Sequence, residues 1–151
     1  MTQRLTITEV INLTSSANAS NLSPYMRAQK YNEHRTKALD DILKIVYSGK
    51  KWLLPAGAPP YTPNRIDDTK YNLYNQARRM HYFVEGSPVT NPIKREQMFI
   101  ELLESVDPED AETIIKLKDG WKPYNYSMAV RLGVAEPRVK DDNTESVEEE
   151  V

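Results

Sequence analysis

The sequence predicts an all-α fold: a small irregular bundle of about five to six short helices, crossed by an extended Pro-rich strap and followed by a disordered acidic tail. Three observations predict it. Apolar residues recur at three- and four-residue steps in several short windows. Ser, Thr, Asn or Asp, often followed by proline, stands just before those windows. Single glycines stand just after several of them. No convincing strand pattern and no internal repeat accompanies these signals.

Along the chain, Thr6 or Thr8 can cap a first helix that turns Ile7, Val10 and Ile11 to one face. It fades into the polar stretch Ser15 to Asn21, which has no packing face. Ser23-Pro24 opens a second helix to about Asn32, cap first and proline at the first helical position. A third runs from about Thr36 to Tyr47, with Leu39, Ile42, Leu43 and Val46 as its stripe, and Ser48-Gly49 ends it. Residues 50–66 cannot be helical, because Pro55, Pro59, Pro60 and Pro63 remove donors and push each preceding residue toward extended geometry. They are also too apolar for a free linker, so the expectation is a strap laid across the body and anchored by Trp52 and Tyr61.

Asp67 or Asp68 can cap a fourth helix to about Val84, stopped by Gly86-Ser87-Pro88. Asn91-Pro92 starts the strongest apolar stripe: Ile93, Phe99, Ile100, Leu102, Leu103 and Val106. Asp107-Pro108 opens a helix to about Lys118, acids in its first turn and lysines in its last, which suits the helix dipole. Gly120 is its expected left-handed end, and a last turn or two, about Ser127 to Leu132, closes at Gly133. Residues 1–135 are read as one helical domain, with 1–22 a loosely attached helix and linker, and residues 136–151 as tail.

Composition narrows the function. The 151 residues contain no cysteine, which removes disulfides, thiolate zinc sites and cysteine nucleophiles together. No apolar run reaches the roughly 18–20 residues of a membrane span, and Met1 to Leu5 have no signal-peptide character, so no membrane partner and a cytosolic setting are expected. Residues 136–151 carry seven acids against Arg138 and Lys140, a net of −5. Residues 1–90 carry 12 basic and 7 acidic side chains, a net of +5. The molecule is a mildly basic body with an acidic tail, for which solvation is the favoured role.

Chemistry leaves little local signal. His34 and His81 lie in no nucleophile context. The five glycines are scattered singly and form no phosphate cradle. Asp40-Asp41 and Asp67-Asp68 point to different faces of their helix starts, and Asp107, Glu109 and Asp110 lack the glycine and distal glutamate of a calcium loop. Neither catalytic residues nor cofactor nor metal are expected. One mixture stands out: Lys50, Lys51, Trp52, Tyr61, Arg65, Tyr71, Tyr74, Arg78, Arg79 and Tyr82 interleave the basic and aromatic groups that single-strand binding uses. On an α-helix Tyr71, Tyr74 and Arg78 would share a face that Tyr82 continues. Core packing or protein contact is the favoured reading of these aromatics, since a net of +5 is weak for a dedicated nucleic-acid binder.

Two stretches carry a family resemblance. Trp52-Leu53-Leu54-Pro55-Ala56-Gly57-Ala58-Pro59-Pro60-Tyr61-Thr62-Pro63 resembles the Trp-x-Leu-Pro-x-Gly-x-Pro-Pro-aromatic-x-Pro strap of an uncharacterised small protein family of T4-like myoviruses, notably marine and cyanobacterial phages. Residues 94–112, Lys94 through Glu112, followed by Lys118-Asp119, resemble its second hallmark. The likeness spans roughly residues 36–132 and departs in the N-terminal third, at Gly120-Trp121 and in the acidic tail. It implies a phage context and transfers no catalytic residue.

The expected function is therefore a non-enzymatic interaction or adaptor protein, acting in the host bacterial cytoplasm on a phage or host protein. An Asp107-Pro108 corner with exposed acids adds to that expectation. The alternatives are a nucleic-acid-binding accessory protein using the Trp52 to Tyr82 region, with the tail competing for the basic face, and a virion structural accessory.

Overall fold

The computed structural model describes residues 5–15, 21–64 and 70–137, and statements below concern those residues. The expected Asp67 or Asp68 cap, Arg65 and the tail beyond Pro137 lie outside them. Seven α-helices and one 3-10 segment are present: α1 (Ile7–Thr14), α2 (Pro24–Glu33), α3 (Lys37–Val46), α4 (Leu73–Gln76), the 3-10 segment (Ala77–Phe83), α5 (Pro92–Ser105), α6 (Pro108–Lys118) and α7 (Tyr126–Leu132). The class is all-α as the periodicity predicts, with more helices than the expected five to six.

Most boundaries follow from side-chain caps. Thr6, not Thr8, caps α1 in a reciprocal box: its hydroxyl accepts from the Glu9 amide at 3.1 Å, and the Glu9 carboxylate accepts from the Thr6 amide at 2.8 Å. Ser23, Thr36, Asn91 and Asp107 cap α2, α3, α5 and α6, three of them with proline next. Asn125 caps α7, and Gly133 ends it with φ +85°.

α1 packs on α2 and α6, α2 also meets α7, and α3 lies on the 3-10 segment and α4. α5 touches the 3-10 segment and α6, so α6 joins the two halves around one core. Far from being loosely attached, α1 buries Ile7, Val10 and Ile11 to 1% exposure or less. Each such side chain contributes roughly 1.5–3 kcal/mol. In addition, the Thr8 hydroxyl donates to Asp110 Oδ1 at 2.5 Å and contacts the Thr113 hydroxyl at 2.8 Å, which ties α1 to α6. Asp110 is thus no exposed corner acid but 1% exposed, as the second correction to the sequence reading.

The third correction is the fourth helix. After one α-helical turn the chain winds tighter, because Ala77, Met80 and Phe83 are the buried residues and they recur at three-residue steps. That is the period of a 3-10 helix. Phe83 then meets Phe99 of α5 edge to face, with ring centroids 5.2 Å apart. No helix among the described residues is long and apolar enough to cross a membrane.

Candidate functional site

The strap begins by pairing with the chain that leaves the 3-10 segment. Trp52 and Val84 form an isolated antiparallel bridge, with the Leu53 amide donating to the Phe83 carbonyl at 2.8 Å and the Glu85 amide to the Lys51 carbonyl at 3.0 Å. From there it runs over α5 and the end of α6, held by side chains at successive points. Arg95, buried on α5, donates to the carbonyls of Leu53 at 3.4 Å and Val89 at 2.6 Å. The Lys118 ammonium donates to the Pro55 carbonyl at 2.8 Å and to Asp119 Oδ1 at 2.5 Å. Both Asp119 oxygens accept from the Gly57 amide at 3.1 Å, a position where φ is +85° and glycine is favoured. Further on, Glu104 accepts from the Thr62 amide at 2.8 Å, and its own carbonyl accepts from the Asn64 side chain at 3.0 Å.

These clasps follow from proline chemistry. A proline-rich segment cannot satisfy its carbonyls within itself, so a strap lying on the body needs donors from elsewhere. Arg95 and Lys118 supply them from beneath. Lys118 has a side chain only 2% exposed, and its bond to Asp119, followed by the Gly57 amide, holds the Asp119 carboxyl below the usual carboxylate range.

Under the arch of the strap lies an apolar cleft of about 190 Å³. Leu54 through Pro60 line it from the strap side, Phe99 and Lys118 from the body, and Glu96 stands at its edge. Ile93, one helical turn before Glu96, is 71% exposed and extends the apolar surface along α5. Because the strap is pinned and proline-stiffened, the cleft is preformed and little backbone entropy remains to be lost on binding. The cation in its lining is already engaged: Lys118 holds Asp119 and the strap.

The basic and aromatic residues named from sequence do not assemble into one face. Trp52, Tyr61, Tyr74 and Tyr82 are half-buried and pack against the core. The Tyr74 hydroxyl donates to the Leu5 carbonyl, and the Tyr82 ring lies 4.3 Å from that of His81. Tyr71 has the Lys70 ammonium 5.7 Å from its ring centre, and burial with nearby Glu112 raises the Tyr61 hydroxyl above its usual range. Arg78, Arg79, Lys50 and Lys51 are exposed. The expected alignment of Tyr71, Tyr74, Arg78 and Tyr82 fails, because 3-10 winding puts Tyr82 in line with Arg79 and His81 in line with Arg78. Arg65 lies outside the described residues. The Trp52–Val84 bridge sets Lys51 opposite Glu85 rather than opposite Tyr82, and Tyr74 is committed to the start of α1.

Sequence reasoning missed Arg95, Lys118 and Asp119 as strap clasps. The available signal was the unmatched carbonyls of the strap, which call for buried cations. Neither Arg95 nor Lys118 is distinguishable in sequence from a solvated helix residue. Among the described residues no three carboxylates or histidines converge as a metal site would require.

The model of a family of unknown function, DUF6433, matches residues 15–121, a span that includes both the strap and α5–α6, and the chain belongs to that family. No curated protein and no solved structure matches it.

Proposed function

We propose that this DUF6433 protein is a non-enzymatic interaction protein that docks a protein partner on the strap cleft. The observation that carries this reading is the pinned arch of Leu54 to Pro60 over Phe99, an apolar recess of about 190 Å³ beside exposed Ile93. A recess of this kind takes an apolar or aromatic anchor side chain, the group that dominates binding energy at protein interfaces. It is well below the roughly 300–1,000 Å³ of pockets that enclose drug-sized ligands. The acidic Glu96 at the edge favours a partner with a basic residue flanking the anchor. The engagement of Lys118 with Pro55 and Asp119 argues for a structural rather than a catalytic lysine. The resemblance of the strap and α5–α6 motifs to a T4-like phage family supports a setting in the infected bacterial cytoplasm, with a phage or host protein as partner.

The packing of Trp52, Tyr74 and Tyr82 against the core favours protein docking over the stacking mode that single-stranded nucleic acid requires. The test is affinity capture from infected cells with the full chain and two surface variants, Ile93→Glu and Ala58→Trp. The first charges the apolar ledge and the second fills the cleft, and neither replaces a buried side chain. A partner retained by the native chain and lost by both variants is the expected result. A partner held equally by all three, or no specific partner at all, would overturn the proposal.

A further inference from the structure

A second, smaller cleft of about 130 Å³ lies between the start of α2 and α7, lined by Pro24, Arg27, Asn125, Ser127, Met128 and Arg131. We infer that it is a binding site for a phosphate group, with Arg27 as its buried cation.

Arg27 is 8% exposed. Among the described residues it forms no ion pair, and its one side-chain hydrogen bond is from Nη1 to the Thr14 carbonyl at 3.4 Å, near the limit of such bonds. Its Nε is buried without a partner. The other arginines with contacts here are better satisfied. Arg35 pairs with Asp40 at 2.9 Å, and Arg95, whose Nε is likewise buried without a partner, reaches two backbone carbonyls against the single long bond of Arg27. A guanidinium removed from water without a counter-charge is costly, and an anion in the cleft it lines removes that cost.

The surroundings fit the same ligand. Arg27 sits just past the first turn of α2, where the helix dipole is positive, and that turn holds no acidic residue. Arg131 brings a second guanidinium, exposed at the cleft mouth, and Ser127 stands one turn before it on the same face of α7. Asn125 spends its side-chain oxygen on the Met128 amide at 2.8 Å, which leaves its amide nitrogen to donate. Two guanidinium groups, a hydroxyl and an amide around a recess far smaller than a drug-sized pocket suit a compact tetrahedral oxyanion. None of these residues belongs to the strap cleft. The site also spans the family boundary: Arg27 lies within the matched residues 15–121, and the α7 groups lie beyond them.

The test is titration of the full chain with inorganic phosphate, followed by amide chemical shifts. Saturable shifts confined to the start of α2 and to α7 are expected. Arg131→Gln, an exposed substitution that leaves the fold intact, should weaken binding about tenfold, and Arg27→Gln should abolish it. Short oligonucleotides with and without a 5′-phosphate then compete. Displacement by the phosphorylated strand alone assigns the site to a terminal phosphate of nucleic acid, and displacement by neither assigns it to the free ion or a small phosphomonoester. Shifts that never saturate, or an Arg131→Gln protein that binds phosphate as the native chain does, would overturn the inference.

Discussion

Tyr47 and Tyr124 are joined twice through one hydroxyl: the Tyr47 phenol donates to the Tyr124 carbonyl at 2.6 Å and accepts from the Tyr124 amide at 2.8 Å. This ties the end of α3 to the loop before α7. Burial pushes the Tyr47 hydroxyl up to about 12, although its bond to the Tyr124 backbone pulls the other way. Tyr124 in turn meets Thr14 at 2.6 Å between the two hydroxyls and Tyr31 edge to face, so α1, α2, α3 and the loop before α7 share one polar-aromatic knot.

Tyr47→Phe keeps the ring and removes both bonds, leaving the amide and carbonyl of Tyr124 without their partner. A loss of about 1–3 kcal/mol is expected. Urea unfolding should show a lower midpoint with an unchanged slope.

Asp110 predicts a pH dependence with an unusual sign. Burial raises its carboxyl from 3.8 to about 6, against the opposing hydrogen bonds from Thr8 and with added repulsion from Asp107 and Glu109. Its Oδ2 is buried without a partner, which suits a protonated acid. The folded state therefore binds the proton more tightly than the unfolded state. Asp110 gives its full stabilisation below the unfolded value of about 3.8, and that contribution is lost as pH rises through about 6. At roughly 1.4 kcal/mol for each unit, the change is about 3 kcal/mol at most. Asp110→Asn should flatten this part of the stability–pH curve, measured by thermal or urea unfolding between pH 4 and pH 7.

The strap clasp gives a local prediction beside a global one. Asp119→Ala removes the acceptor of the Gly57 amide and the partner of Lys118. The substitution leaves the buried Lys118 ammonium with only the Pro55 carbonyl, so a loss of about 1–3 kcal/mol in urea unfolding is expected. Limited proteolysis under native conditions should also cut the variant within residues 55–60 faster than the native chain. Equal cutting rates would show that the arch does not depend on this clasp.

Gly133 ends α7 with φ +85°, and a Cβ there would come within 3.1 Å of Arg35 Nη2, whose own bond is to the Leu132 carbonyl. Gly133→Ala should cost about 1 kcal/mol from the left-handed backbone alone. Thermal unfolding measures it. An unchanged midpoint would mean that Arg35 and the backbone shift without cost.

What the sequence made legible was whatever is local. Caps at Ser23, Thr36, Asn91 and Asp107 and the stripe Leu39, Ile42, Leu43, Val46 place their helices within a residue or two, because capping and periodicity act over a few neighbours. The strap was legible from proline alone. The 3-10 winding of Ala77–Phe83 was legible in principle from its three-residue spacing, but Tyr71, Tyr74, Arg78 and Tyr82 also fit an α-helical pattern, and tertiary contact with α3 and α5 decides between them. The site was mostly illegible. Trp52, Tyr74 and Tyr82 carry the composition of a stacking surface, yet their use is set by what covers them. Arg27, Arg95 and Lys118 are ordinary helical cations until distant carbonyls, or the lack of a carboxylate, give them a role.

The most direct measurement for the docking reading is site-specific photo-crosslinking in cells that produce the protein, with the reactive group at position 58 in the cleft or at position 44 on α3, which is exposed and remote in sequence. A discrete covalent adduct from position 58 and none from position 44 is the predicted result. Adducts from both positions alike, or from neither, would contradict the strap cleft as the partner surface.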